Sequence, residues 1–147
     1  MFRFVTTHLR FLGKVPGLVH VFELMLIVES MLFHRHLLTC VRTVEREARS
    51  WPGVTLSLHA LGGTQFDLGR REIGHVHGNG LVDMLFTKAI RDEVIAAGLA
   101  EPHHVYDKSN WISLFMQSDE DARTAIALLR RNYERLLAIE NNRTTDR

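Results

Sequence analysis

A chain of 147 residues, 46% hydrophobic and 24% charged, has the make-up of one globular domain with a substantial core. Its formal net charge of +1 and its scattered basic residues, densest at Arg130 and Arg131, argue against a nucleic-acid binder. A single cysteine, Cys40, rules out an internal disulfide framework and any thiolate zinc site of the usual kind, and it fits a reducing, cytoplasmic setting.

The N-terminal 50 residues read as a helical segment. Pro16 and Gly17 separate the amphipathic "FRFVTTHLRFLG" from an apolar helix over residues 17–34, which opens "GLVHVFELMLIVESMLF". The ten Leu, Ile, Val and Phe residues of that run favour membrane insertion by about 0.3 to 0.6 kcal/mol each, whereas Glu23 and Glu29 together oppose it by roughly 5 to 7 kcal/mol. The two terms about cancel, and the run is barely long enough to span. The readings are a helix packed on the domain or on a second copy in a homodimer, one lying on a membrane surface beside Arg3, Arg10 and Lys14, or a span. An amphipathic helix over residues 36–50 follows, with Leu37, Leu38, Val41, Val44 and Ala48 on one face. There Cys40 reads as a small apolar residue. "SWPGV" ends it, because Pro52 disfavours helix at Trp51.

The hydrophobic period then changes to two. Residues 54–60, 64–68 and 71–77 form three strands joined by the Gly62-Gly63 and Gly69-Arg70 turns, an antiparallel meander. "GNGLVDMLF" leads into a helix with Thr87 as N-cap, Ile90, Val94 and Ala97 as its apolar stripe, and Gly98 at its end. "AEPHHVYDKSN" is loop, and residues 111–117 make a fourth strand. Ser118 and Asp121 resemble a capping box for a last helix carrying Ala122, Ala125, Leu129 and Leu136. The expected organisation is a helical segment (1–50), an α+β domain (51–138) and a frayed tail (139–147). The fold class is α+β: N-terminal helices, a three-stranded meander plus a fourth strand, and two helices on one face.

The chemistry concentrates in histidines. Alternation places Ile73, His75 and His77 on one face of the third strand and Glu72, Gly74, Val76 and Gly78 on the other, with Gly74 and Gly78 leaving room beside the pair. His103 and His104 fall in a loop, where functional side chains gather, and His59 lies in the first strand. Imidazoles in this pattern serve as structural strand ends, as general acids or bases titrating near neutral pH, or as metal ligands completed by Asp83. Asp83 also reads as a helix-entry residue or as the group orienting a histidine, and Trp111 as core or as an aromatic wall for a planar ligand. "GNG" lacks the residues and spacing of a phosphate loop.

The G-G-x-x-F of residues 62–66, the G-H-x-H-x-x-G of 74–80, the P-H-H of 102–104 and the W-[IV]-S of 111–113 stand together and in order. From Trp51 to Leu137 the chain thereby resembles the luciferase-domain family, which is named after the fungal luciferases and includes small bacterial and archaeal relatives. The resemblance implies oxygenation of a planar, acidic enol or phenol such as a hydroxypyrone, or simple proton transfer on it, with molecular oxygen as co-substrate and no cofactor such as flavin or ATP. It implies His75, His77 or His104 as the catalytic base, with His103, Asp83, Gly78, Trp111 and His59 around the ligand. A non-catalytic ligand-binding, oligomerisation or membrane-associated module is the alternative.

Overall fold

The structure is a computed structural model that describes residues 35–145 and, before them, Val21, Leu24, Met25 and Val28. The described elements are α1 (Arg35–Arg49), β1 (Val54–Leu58), β2 (Thr64–Leu68), β3 (Arg71–Val76), β4 (Leu81–Leu85), α2 (Lys88–Ala96), β5 (Glu101–Pro102), β6 (Trp111–Phe115) and α3 (Asp119–Thr145). The class is α+β, with three helices among the described residues and one antiparallel sheet of six strands in the order β1-β2-β3-β4-β6-β5. The helices are spread along the chain: one precedes the sheet, one sits between β4 and β5, and one follows β6.

Two strands exceed the four expected. β4 takes up "LVDML", a run too short and too buried to hold an amphipathic helix, and the following helix starts only after the Thr87 cap. β5 is a two-residue edge strand inside the expected loop, held because Glu101 and Pro102 pair with Ser113 and Ile112. α3 continues through residues 139–145, where fraying is expected from composition.

The core lies between one sheet face and the helices α1 and α3. Phe66, Val76, Val82, Met84, Ile112 and Leu114 meet Val44, Ala48, Ala125 and Leu129 there. α3 comes very close at β3. A Cβ added to Gly74 would stand 2.7 Å from the Asp83 carbonyl oxygen and 2.8 Å from Leu129 Cδ2. The space beside Gly74 is therefore filled by core and is not left for a ligand. The amide of Asn132, fully buried on α3, donates to the Ile73 carbonyl at 2.6 Å and ties helix to sheet.

The pairing of β2 with β3 slips between Phe66 and Asp67: Phe66 faces Gly74, while Asp67 faces Glu72. Ile73 is the extra residue, a β-bulge, and it is buried in the core instead of sharing the His75 face as simple alternation predicts. Beyond the bulge the parity of the strand reverses, so Glu72 comes round to the side of His75.

Most of the apolar run at residues 17–34 lies outside the described residues. The membrane attachment expected of it does not hold: among the described residues, no helix is long and apolar enough to cross a membrane. The two glutamates within the run offset what its apolar residues contribute to insertion.

Candidate functional site

Strand register lays one row of polar residues across the whole sheet. Ser57 faces Gln65, Gln65 faces His75, His75 faces Asp83, Asp83 faces Ser113, and Ser113 faces Glu101. Paired residues of antiparallel strands project to the same side, so this row occupies the face turned away from α1 and α3. His77 follows two residues after His75. His103 and His104 arrive from the segment after β5, and the His103 amide donates to the Trp111 carbonyl at 3.2 Å.

Asp83 is the centre, with 1% of its side chain exposed. Its Oδ2 lies 3.4 Å from His75 Nε2, 3.8 Å from His77 Nε2 and 3.7 Å from His103 Nε2. None of these is a short hydrogen bond, and Oδ2 is a buried oxygen without a hydrogen-bond partner. Its Oδ1 accepts the Ser113 hydroxyl at 2.5 Å, and Ser113 Oγ lies 3.2 Å from His104 Nδ1. The two histidine pairs, 26 positions or more apart in sequence, thus meet on one carboxylate.

Each imidazole has a distinct state. His75 Nδ1 lies 2.6 Å from Glu72 Oε1, so the ring is held between two carboxylates. Burial works against its charge, but Asp83 and Glu72 outweigh burial and raise His75 to about 9, an imidazolium at neutral pH. Burial also works against charge on Asp83, and its contacts with His75 and Ser113 override this and hold it below the usual carboxylate range. His103 Nδ1 accepts the backbone N–H groups of Val105 and Tyr106, both at 3.0 Å. In the neutral ring its proton is therefore on Nε2, facing Asp83. Burial lowers His103 to about 4, so it is neutral at pH 7. His104 is also lowered by burial, yet a quarter of its side chain is accessible. His59 is lowered by burial and by the charge of His75, on which it stacks with ring centroids 3.6 Å apart.

Trp111 bridges the two pairs, its ring 5.6 Å from that of His75 and 6.0 Å from that of His103. Gly78 is buried in the turn between β3 and β4, where the Gly80 amide donates to the His77 carbonyl. A groove of about 260 Å³ lies elsewhere, beside Leu56, Ser57 and Thr64. Access to the cluster is over His104 and, with 12% of its side chain exposed, His77.

Donor atoms of His59, His75 and His77, and separately of Asp83, His103 and His104, come within 4.8 Å of one another. In the second set the tautomer disfavours an ion: His103 accepts backbone N–H groups at Nδ1, so the neutral ring carries its proton on the Nε2 that faces Asp83.

Sequence reasoning missed two members of the site. Ser113 stands in the W-[IV]-S motif but has no legible role until β6 is paired with β4. Glu72 is displaced by the bulge from the face that alternation assigns to it. No curated protein and no solved structure gives a significant match to the chain. The matched family segment is shorter than the resemblance read from Trp51 and leaves the Gly62-Gly63 turn outside it. Residues 70–132, which supply every member of the Asp83 cluster except the stacked His59, match the Luciferase domain family, as the sequence motifs imply.

Proposed function

We propose that the Asp83 cluster binds a planar, acidic enol or phenol of the hydroxypyrone type and removes its proton. The observation that carries this reading is the convergence of His75, His77, His103 and His104 on one buried carboxylate. His104 is the base. With Ser113 donating to Asp83, the Ser113 oxygen is the natural acceptor for the His104 Nδ1–H, which leaves the lone pair on Nε2. His75 is too strongly held as a cation to accept a proton. It keeps Asp83 ionised and in place at the buried end of a chain running Glu72, His75, Asp83, Ser113, His104. His77, at the accessible edge, is the second polar contact for the anion, and Trp111 is an aromatic wall for a planar ring.

An enolate formed in this way is electron-rich enough to reduce oxygen. One electron passes to O2, the two radicals join in a new C–O bond, and His104 returns its proton to give a neutral hydroperoxide. Substrate and O2 are then both accounted for, with no other reductant.

The test uses a hydroxypyrone titrated into the full-length protein and followed by absorbance. The bound ligand should show its anion spectrum at pH values below its free pKa. His104→Gln should bind it with the neutral spectrum. Binding of the neutral form by the unaltered protein would leave only a binding module, and no binding at all would remove the ligand class.

The exposed Val21, Leu24, Met25 and Val28 are spaced i, i+3, i+4, i+7 and are helical. This apolar stripe supports our proposal that a second copy of the chain packs on residues 17–34.

A further inference from the structure

Where α1 meets the start of α3, three metal-ligating side chains of different kinds come together. His36 and Cys40 are four apart on α1 and so share a face, and Asp119 is the first residue of α3. His36 Nε2 lies 3.7 Å from Cys40 Sγ and 3.7 Å from Asp119 Oδ1, and Cys40 Sγ lies 3.8 Å from Asp119 Oδ1. We propose that His36, Cys40 and Asp119 form a binding site for a zinc-like divalent ion that clips α1 to α3.

The argument is geometric. Three atoms with those separations have a common centre about 2.2 Å from each, and zinc takes bonds of about 2.3 Å to sulfur and about 2.0 to 2.2 Å to nitrogen and oxygen. Tetrahedral zinc holds such donors about 3.4 to 3.6 Å apart, so the side chains need to close by only a few tenths of an ångström. The two contacts of the Cys40 sulfur are ordinary for a thiol, but the His36–Asp119 contact is loose for an ion pair. A charge-assisted N–H···O contact is normally about 2.7 to 2.9 Å, and the His36–Asp119 pair is well beyond that.

Cys40 is 1% exposed, and its sulfur is within thiol hydrogen-bond distance, 3.7 to 3.8 Å, of the His36 ring, the Asp119 carboxylate and the Ser118 carbonyl oxygen. A buried thiol aimed at an imidazole and a carboxylate, with a gap of ionic size between them, is the arrangement a soft-to-borderline cation fills. The side opposite Cys40 is open, since His36 and Asp119 are 52% and 71% exposed. An ion can enter there and keep a water as its fourth ligand.

Cys40 is the only thiol in the chain, so a thiolate-to-cobalt(II) charge-transfer band reports on this site alone. Full-length reduced protein titrated with cobalt(II) should develop a thiolate-to-cobalt charge-transfer band that saturates at one equivalent and bleaches when zinc is added. The band should vanish in Cys40→Ser and fall strongly in the exposed-site variants His36→Ala and Asp119→Asn, whose folding is checked by circular dichroism. Cobalt binding without the charge-transfer band would place the ion on the histidines and overturn the proposal. So would a band that persists unchanged in both His36→Ala and Asp119→Asn.

Discussion

Raising the pH from 6.5 to 9.5 should unload the proton that His75 holds between Glu72 and Asp83. Below pH 6.5 this histidine is charged in the folded and the unfolded chain alike, and its contribution to stability is fully present. As the pH rises the unfolded chain loses the proton first, while the folded chain keeps it until about 9, so that contribution is lost across this window. A group moved from 6.5 to about 9 contributes on the order of 3 kcal/mol. Its side chain is 6% exposed, so solvent screens little of this. For a domain of this size, that is a fall in melting temperature of roughly 10 °C. Guanidinium unfolding at half-unit pH steps measures the effect, and imidazole nitrogen resonances report the proton directly. Glu72→Gln, which removes the partly exposed carboxylate, should move the loss to lower pH. A stability that stays flat between pH 6.5 and 9.5, or a neutral His75 ring at pH 7, would refute the carboxylate–imidazolium–carboxylate arrangement.

Ser113→Ala should cost about 1 to 3 kcal/mol by leaving Asp83 Oδ1 without its donor, and should weaken ligand deprotonation more than ligand binding; unchanged spectra of the bound ligand would separate Ser113 from the base. Gly74→Ala forces a methyl against the Asp83 carbonyl and should lower stability by about 1 to 3 kcal/mol, with a neutral result in thermal unfolding showing that α3 can shift away. Burial pushes His103 down to about 4, so acidification below pH 6.5 favours the unfolded chain, which takes up the proton first. His103→Gln should be less acid-sensitive than the unaltered protein in unfolding at pH 4 to 6.5. Deleting residues 1–34 should turn a dimer into a monomer by light scattering, and the same mass state in both forms would exclude that segment as the contact.

The helices around Val44, Val94 and Leu129 and the strands through Phe66, Val76 and Ile112 were legible because apolar spacing alone distinguishes a period of 3.6 from one of 2. β5 was not. Two residues have no periodicity, and Glu101 and Pro102 form a strand only because β6 offers an unpaired edge. β4 was hidden because its residues 81–84 are all buried, which erases alternation.

By itself the sequence determined which imidazoles can act together, since His75 and His77 are two apart in a strand and His103 and His104 sit in one loop. It also carried the family motifs. Tertiary structure alone decided that both pairs face Asp83, because strand order and register are long-range choices that no local pattern encodes. It likewise decided the division of labour among the histidines. One bulged residue, Ile73, brings Glu72 beside His75 and makes that ring a cation, while burial keeps His103 and His104 neutral. Charge state depends on neighbours in space, and those neighbours are set only when the sheet closes over its own polar row.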